Sequence, residues 1–221
     1  MKHLIIALTA IFALASCSSQ SEEDKGVIKY AKEAGFTING NDVKKSDPAI
    51  LFCYANHLFE EGKQDEAVFW YYVAQYRYRF MSSCSEHLKA GSLTEAQGKK
   101  ILVKTGVYTE DRIGSLHLIG GIYRIELYET IQAMLGRKIN GYAYGDLEQL
   151  KATIDRMLKY QEENPFNPMG MTPQPLLKSE EVQAEKLTKI KESYAEQKEK
   201  MDEKADYIRE TRLENGLENR N

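Results

Sequence analysis

Apolar residues recur at three- and four-residue spacing through most of this chain, and that periodicity constrains its fold more than any other feature. It predicts helices over residues 22–34, 48–61, 65–81, 93–104, 111–135 and 146–163. The alternation typical of strands is weak and confined to residues 36–38 and 101–103. The sequence therefore predicts an all-α helical bundle. The helix over 111–135 is expected to be its central element, with Gly120-Gly121 lying where another backbone comes close.

The charge balance and the cysteine content limit the classes of protein that fit. Among 221 residues, 30 basic side chains stand against 33 acidic ones, for a formal net charge of −3. This chain has no positive field that would attract phosphates, so nucleic acid is not a predicted partner. Fourteen tyrosines and seven phenylalanines supply a conventional core, whereas three cysteines are too few for a disulfide-built scaffold. One globular domain is expected.

The N-terminus has the three-part layout of an export signal. A basic Lys2 precedes an apolar run over residues 4–14, and small residues follow that run. The run is too short to cross a bilayer stably. The sequence therefore predicts that residues 1–16 direct export and are removed.

The end of this signal, Leu14-Ala15-Ser16-Cys17, resembles the lipobox of bacterial lipoproteins. The resemblance implies acylation of Cys17 and anchoring of the mature chain in a membrane, since more than one acyl chain makes an anchor stable. Ser18 stands where an aspartate would retain such a protein at the inner membrane. The resemblance thus implies an outer-membrane location facing the periplasm in a Gram-negative host. A plain secretory signal with an incidental cysteine is the alternative.

Composition divides the rest of the chain into four predicted segments. These are the acylated cysteine and a tether (17–25), a helical core domain (26–164), a proline-rich linker (165–177) and a charged helical arm (178–221). Half of the residues in the arm are charged, with both signs interspersed, which is typical of a long helix. Of the two core positions that a coiled coil needs in every seven residues, only one is consistently apolar in this arm. A helix packed along one edge is therefore favoured over a coiled coil.

Residues 47–81 resemble a tetratricopeptide or Sel1-type helix hairpin. Small Ala55 is followed twelve positions later by small Ala67, with Gly62 in the turn between them and the run GKQDEAVFWYYVA around the second helix. Small residues at these positions let two antiparallel helices approach closely. No second copy follows, so a repeat array is not predicted. The resemblance implies a protein-binding function.

Two groups of residues are candidates for contact with a protein partner. Tyr76, Arg77, Tyr78 and Arg79 form one cluster, since arginine and tyrosine are frequent at protein interfaces. The alternative is a core helix whose arginines pair with Asp65 or Glu66. The second candidate is a glycine-bounded loop over residues 140–145, which carries Tyr142 and Tyr144 and could equally be a buried turn.

Few residues are candidates for catalysis or for redox chemistry. Nucleotide-binding, serine-hydrolase and zinc-protease motifs are missing from the sequence, and no cofactor or metal is predicted. His57 precedes Glu60 and Glu61 at helical spacing, so an imidazole and a carboxylate could share a face. Cys53 and Cys84 could form a disulfide only if the second hairpin helix ended near residue 82 and the chain then reversed.

Together these features predict a membrane-anchored, extracytoplasmic lipoprotein that acts as a non-catalytic binding module for an unidentified protein. One alternative is an immunity lipoprotein that neutralises a toxin by capping its basic cleft with carboxylates. The other is an envelope hydrolase that uses His57.

Overall fold

The computed structural model describes residues 21–220, which form nine α-helices and one two-stranded antiparallel sheet. The helices are α1 (Glu22–Glu33), α2 (Pro48–Glu60), α3 (Gln64–Cys84), α4 (Glu95–Lys104), α5 (Glu110–Ile113), α6 (Arg124–Ala143), α7 (Leu147–Glu163), α8 (Glu180–Glu203) and α9 (Ala205–Glu214). The strands are β1 (Ser92–Leu93) and β2 (Ile122–Tyr123). The prediction of an all-α bundle is confirmed.

Helices α2 and α3 form a hairpin, as the sequence predicts. The Asp47 carboxylate caps α2 by accepting a hydrogen bond from the Ala49 amide at 2.9 Å, and Pro48 is the first helical residue. Only three residues join the two helices, so they run antiparallel. Ala55 and Ala67 are fully buried, which permits the close approach of the two backbones. The resemblance of this hairpin to tetratricopeptide repeats stays a prediction.

The central element of the bundle is α3. Helices α2, α6, α7 and α8 all pack against it, and every side chain from Ala67 to Arg77 is buried. The aromatic residues of α3 therefore do not share one face but are covered on several sides of the helix. The prediction that a helix over 111–135 would be central is wrong.

That predicted helix is interrupted, because Gly120 and Gly121 both have positive φ angles. Gly121 has a φ of +98°, and a Cβ at this position would lie 2.2 Å from the Leu93 carbonyl oxygen. The expected close backbone approach is thus confirmed, but it occurs where β2 pairs with β1. Helix α6 begins only at Arg124 and continues through Gly136, which was predicted to end it, as far as Ala143.

The predicted boundaries around α4 also need correction. Ser92 belongs to β1, and the capping box is formed two residues later by Thr94 and Gln97. The Thr94 hydroxyl accepts from the Gln97 amide at 3.3 Å, and the Gln97 side chain accepts from the Thr94 amide at 3.0 Å. Neither predicted strand segment, 36–38 or 101–103, forms a strand.

The proline-rich segment 165–177 is packed against the body and is called the strap below. Pro168, Met171 and Pro175 on it are buried. The Leu176 amide donates to the Lys89 carbonyl at 2.9 Å, just beyond the end of α3. The prediction of a free linker is therefore wrong, because the strap buries apolar side chains and forms backbone hydrogen bonds with the core.

The charged arm packs along α3 by one edge, as predicted. Ile190, Tyr194 and Met201 of α8 are buried while most of its other side chains are exposed. The arm is two helices rather than one, because the backbone leaves helical geometry at Lys204. At the other end of the chain, α1 begins at Glu22, where the Ser21 hydroxyl accepts from the Asp24 amide. The predicted tether over 17–25 is therefore shorter than expected.

Candidate functional site

The cluster of Tyr76, Arg77, Tyr78 and Arg79 does not form an exposed contact surface. Tyr76 and Arg77 are buried, with 4% and 0% of their surface exposed, and the other two are half-buried. Helices α7 and α8 pack against α3, and Tyr78 contacts Tyr128 of α6. The prediction of partner contact is wrong for Tyr76 and Arg77, because both are buried inside the bundle, and it stays a prediction for the half-buried Tyr78 and Arg79.

The alternative expectation of a core helix is correct, but its arginines do not pair with acids on neighbouring turns. Arg79 donates to the Ser193 hydroxyl at 2.8 Å, and its guanidinium group lies 4.9 Å from the centre of the Tyr194 ring. Glu66 instead pairs with Arg156 at 3.2 Å. Arg79 therefore connects α3 to α8 rather than to its own helix.

Arg77 has an incomplete set of partners. Its Nη1 donates to the Val43 carbonyl at 2.6 Å, and its Nε donates to the Gln161 Oε1 at 3.4 Å. Within residues 21–220 no acceptor is present for Arg77 Nη2 or for Gln161 Nε2, although both atoms are buried. Burial lowers the pKa of Arg77, and the nearby Tyr160 hydroxyl and Asp24 carboxylate oppose that shift.

A groove of about 440 Å³ lies beside Arg77, between the ends of α3 and α7, the strap and α8. We call it the α7–α8 groove. Gln161 is one of its lining residues, and its apolar walls include Tyr76, Phe80, Phe166 and Leu187. Phe166 also lies over Arg77, with 5.2 Å between the guanidinium carbon and the ring centre. The groove thus places aromatic surface next to two buried donors.

Tyr142 and Tyr144 do not lie in a loop. Tyr142 belongs to the last turn of α6 and Tyr144 is its C-terminal cap residue, so the predicted loop over 140–145 is wrong. The Tyr144 hydroxyl accepts from Gln197 at 3.1 Å and so contacts α8. The Tyr142 hydroxyl donates to the Asp65 carboxylate at 3.0 Å. Burial and this hydrogen bond raise the pKa of Tyr142.

Tyr142 lines an open surface groove of about 430 Å³ that we call the C-terminal groove. Its other lining residues are Phe59, Arg137, Lys138, Gly141, Arg212, Leu217, Glu218 and Arg220. The Tyr142 and Phe59 rings meet edge to face, with 5.9 Å between their centres. A cation lies over the face of each ring. The Arg220 guanidinium lies 3.6 Å from the Tyr142 ring centre, and the Lys138 ammonium lies 4.8 Å from the Phe59 ring centre.

The C-terminal segment builds this groove by returning to α6. After α9, the Leu217 amide donates to the Arg212 carbonyl at 2.8 Å, and Gly216 has a φ of +70° at this turn. The Arg220 amide then donates to the Gly145 carbonyl at 2.7 Å. These contacts hold the last described residues against the end of α6.

Arg212 is the most deeply placed cation of the groove, with 8% of its surface exposed. It donates to the carbonyls of Gly141 and Glu218, both at 2.7 Å, and to the Asn219 side chain at 3.1 Å. All three acceptors are neutral. Burial, together with the like charge of Arg220, lowers the pKa of Arg212. Its positive charge is therefore not cancelled by a direct ion pair.

The groove carries an excess of positive charge on a protein that is negative overall. Four cations line it, against one lining carboxylate, that of Glu218. Glu60 and Asp65 lie at its edge, where they pair with Lys138 and Arg220. Tyr142 was among the residues predicted from the sequence, but Arg212 and Arg220 were not, because the charges of the arm were expected to lie on a solvated face. The Gly216-Leu217 turn after α9 is the sequence signal that could have indicated the return of the chain.

A third cavity, of about 420 Å³, lies between the α1–α2 connection, α4 and the strap. Its two lysines are already engaged: Lys100 donates to the Gly35 carbonyl at 2.7 Å, and Lys45 pairs with Asp42 at 3.4 Å. This cavity therefore offers fewer uncommitted polar groups to a ligand than the two grooves do.

His57 and the two cysteines have structural environments. The His57 ring stacks on Tyr30 at 4.9 Å, and its Nε2 lies 3.3 Å from the Glu61 carboxylate, whereas Glu60 pairs with Lys138. Cys53 and Cys84 are buried free thiols, so the disulfide considered from the sequence is not formed. The reason is that α3 continues unbroken to Cys84 instead of reversing near residue 82. Cys17 lies outside the described residues.

Comparisons with protein-family models, curated proteins and solved structures found no match. Residues 21–220 contain no group of three or more side chains placed to bind a metal ion. Among the helices of this range, none has both the length and the apolar character needed to cross a bilayer. The geometry of the two grooves is therefore the basis for any functional proposal.

Proposed function

We propose that this protein is an extracytoplasmic lipoprotein, anchored through an acylated Cys17, that binds another protein without catalysing a reaction. The anchor is supported by the export signal and the lipobox-like Leu14-Ala15-Ser16-Cys17. A protein-binding role is supported by the C-terminal groove, which combines exposed cations and aromatic rings on one surface.

The short distance along the chain from Cys17 to α1 would hold the folded body close to the membrane. Helix α1 begins at Glu22, so four residues and five Cα–Cα steps separate Cys17 from the bundle. At about 3.6 Å per residue, they extend at most about 18 Å. A partner of this protein would therefore be a membrane protein or another component close to the envelope surface.

The C-terminal groove indicates the chemistry of the partner. Arg137 is exposed, Arg212 is charged and bonded only to neutral oxygens, and Leu217 exposes 42% of its surface between them. Clusters of arginines recognise carboxylates, and an apolar side chain gains free energy by covering the exposed leucine. An acidic segment with at least one apolar residue is the partner that this surface fits. This combination of cationic and apolar surface is the observation on which the proposal depends.

The same charge distribution weighs against one version of the immunity role. Carboxylates that cap a basic toxin cleft require an acidic surface, whereas the C-terminal groove is lined by four cations and one carboxylate. An immunity role remains compatible only with a toxin that presents an acidic segment. The hydrolase alternative lacks support from either groove, since His57 lines neither of them.

The anchor is tested by mass spectrometry of the native protein purified from membranes. The expected product begins at Cys17 and carries the mass of the acyl chains. The Cys17→Ala variant should appear in the soluble envelope fraction. A native product with an intact leader, or with an unmodified Cys17, would contradict the anchor.

The binding surface is tested by photo-crosslinking in cells, with a benzoyl-phenylalanine in place of Arg137 in the full chain. We expect a crosslinked partner peptide that is rich in Asp and Glu, and we expect its yield to fall at least fivefold in an Arg220→Glu background. The matched control places the same probe at Lys189, an exposed residue that pairs with Glu185 on α8. The proposed surface would be refuted if both probe positions gave the same crosslinked peptides, or if the Arg220→Glu substitution left the crosslinking yield unchanged.

A further inference from the structure

The α7–α8 groove contains a second binding feature that does not depend on the proposed function. Arg77 Nη2 and Gln161 Nε2 are buried donors on two side chains in contact, and within residues 21–220 neither makes a hydrogen bond of normal geometry, although the Tyr160 hydroxyl interacts with the Arg77 guanidinium group. Arg77 is fully buried and Gln161 exposes 4% of its surface. Buried polar groups are almost always hydrogen-bonded, so two unpartnered donors in one place require an explanation.

The orientation of the Gln161 amide follows from its contact with Arg77. A guanidinium group can only donate, so Gln161 must present its oxygen to Arg77 Nε, at 3.4 Å. The amide nitrogen then necessarily points away from that contact. Exchanging the two amide atoms would place two donors against each other at the Arg77 Nε contact. The unpartnered Nε2 is therefore a consequence of the neighbouring arginine.

The surroundings indicate which kind of acceptor would complete this pair of donors. Arg77 carries a positive charge without a carboxylate in direct contact, and burial lowers its pKa. An anion placed there would relieve the cost of burying that charge. The two side chains that carry these donors are in contact through Arg77 Nε and Gln161 Oε1, and two donors match the two oxygens of one carboxylate. A phosphate would bring more charge and more oxygens than these donors can satisfy.

The walls of the groove indicate what the acid carries. Tyr76, Phe80, Phe166 and Leu187 surround the donors with aromatic and aliphatic surface. Glu162 and Lys191 pair with each other at 2.8 Å, so the rim adds little net charge. A volume of about 440 Å³ accommodates a small organic molecule. Phe166, which lies half-buried over Arg77, would have to turn aside to admit the carboxylate.

We propose that the α7–α8 groove binds a small monocarboxylic acid with an aromatic or aliphatic body. Its carboxylate accepts hydrogen bonds from Arg77 Nη2 and Gln161 Nε2, and its body packs against Phe80, Phe166 and Leu187. Two sources present this chemistry, a free organic acid and the C-terminal carboxylate of a peptide.

The experiment is a titration of the ¹⁵N-labelled purified protein, observed by NMR at the Arg77 side-chain Nε–H and the Gln161 side-chain amide. The probes are phenylacetate for a free acid, N-acetyl-phenylalanine for a peptide C-terminus, and phenylacetamide as the uncharged match. We expect both carboxylates, or one of them, to shift these two signals in a saturable manner. Phenylacetamide should bind at least tenfold more weakly. The tighter of the two acids identifies the source.

Two variants and one control make the result specific. Arg77→Met removes the charged donor, and Gln161→Glu supplies Arg77 with a carboxylate from the protein itself, so each should weaken phenylacetate binding at least tenfold. Arg79→Met is the control: it lies two residues away on α3, contacts Ser193 outside the groove, and should leave binding unchanged. The proposal would be overturned if the Arg77 and Gln161 signals did not shift at concentrations of either acid up to 10 mM. Equal binding by the acid and its amide, or retention of binding in the Gln161→Glu variant, would also overturn it.

Discussion

Arg77 and Arg124 are both fully buried arginines, but their surroundings supply very different sets of acceptors. Arg124 Nε donates to the Asp47 carboxylate at 2.8 Å. Its two terminal nitrogens donate to three backbone carbonyls, those of Ala90, Thr172 and Pro173, at 2.7 to 3.0 Å. Arg77 has one carbonyl and one amide oxygen, and its Nη2 has no partner among residues 21–220.

The difference indicates two different roles for the same kind of residue. The Arg124 site joins four segments of the chain: the start of α2, the turn before β1, the strap and α6 itself. Asp47 also accepts from the Tyr128 hydroxyl at 2.7 Å and caps α2. Every group there is satisfied within the protein, which is typical of a structural site. The Arg77 site is left open next to a groove, which is typical of a site that receives a ligand.

The largest expected effect is that of Arg124→Met. It would leave the Asp47 carboxylate, which is 14% exposed, and three carbonyls without their donor, and breaking a largely buried ion pair in this manner costs about 3–5 kcal/mol. The measurement is the free energy of unfolding in urea. Hydrogen exchange at the Leu176 amide, which bonds to Lys89, should also accelerate because the strap loses its contact with α6.

A milder variant at the same site separates charge from geometry. Asn at position 47 can still cap α2 and accept from Arg124, but it lacks the negative charge. Asp47→Asn should therefore destabilise the protein, but less than Arg124→Met does. A loss below about 1 kcal/mol for Arg124→Met would show that the Arg124 site does not hold these four segments together.

The next effect is that of Arg77→Met, for which we expect a loss of about 1–2 kcal/mol, at most half of that for Arg124→Met. Only the Val43 carbonyl and the Gln161 oxygen lose a donor, and the cost of burying an uncompensated charge disappears. The same urea experiment measures it, with Arg79→Met as the control for the lost packing of an arginine stem. Equal losses for Arg77→Met and Arg124→Met would remove the distinction between the two sites.

Local signals predicted those parts of the fold that depend on neighbouring residues. The Asp47-Pro48 start of α2, the Asp146 cap of α7 and the one-sided packing of α8 all follow from residue type and spacing within one helix. The interruption at Gly120-Gly121 did not follow, because an apolar periodicity continues through both glycines. Their positive φ values become evident only when β1 lies opposite them.

The candidate sites were harder to predict because they form between distant segments. The burial of Arg77 depends on contacts with segments distant in the sequence, namely Val43 before α2, Gln161 of α7 and Phe166 of the strap. The strap reads as a linker because it is rich in proline, yet its carbonyls are acceptors for Arg124. Tyr142 lines the C-terminal groove, although it lies in a helix rather than in the predicted loop. Two of the four cations that line this groove, Arg212 and Arg220, lie more than 65 positions from Tyr142 along the chain.

The smallest expected effect tests whether the Arg77 site can be converted into an analogue of the Arg124 site. Gln161→Glu supplies Arg77 with the carboxylate it lacks and removes the unpartnered amide nitrogen. The Coulombic gain should nearly offset the desolvation of the new charge, so stability at pH 7 should remain within about 1 kcal/mol of the original protein.

The double variant Arg77→Met with Gln161→Glu buries that carboxylate without its cation. Its loss of unfolding free energy should exceed the sum of the two single losses by at least about 1 kcal/mol. Unfolding free energies of the four proteins complete the double-mutant cycle. Additive effects would mean that residues 77 and 161 do not interact, and the incomplete partner set of Arg77 would then have no bearing on ligand binding.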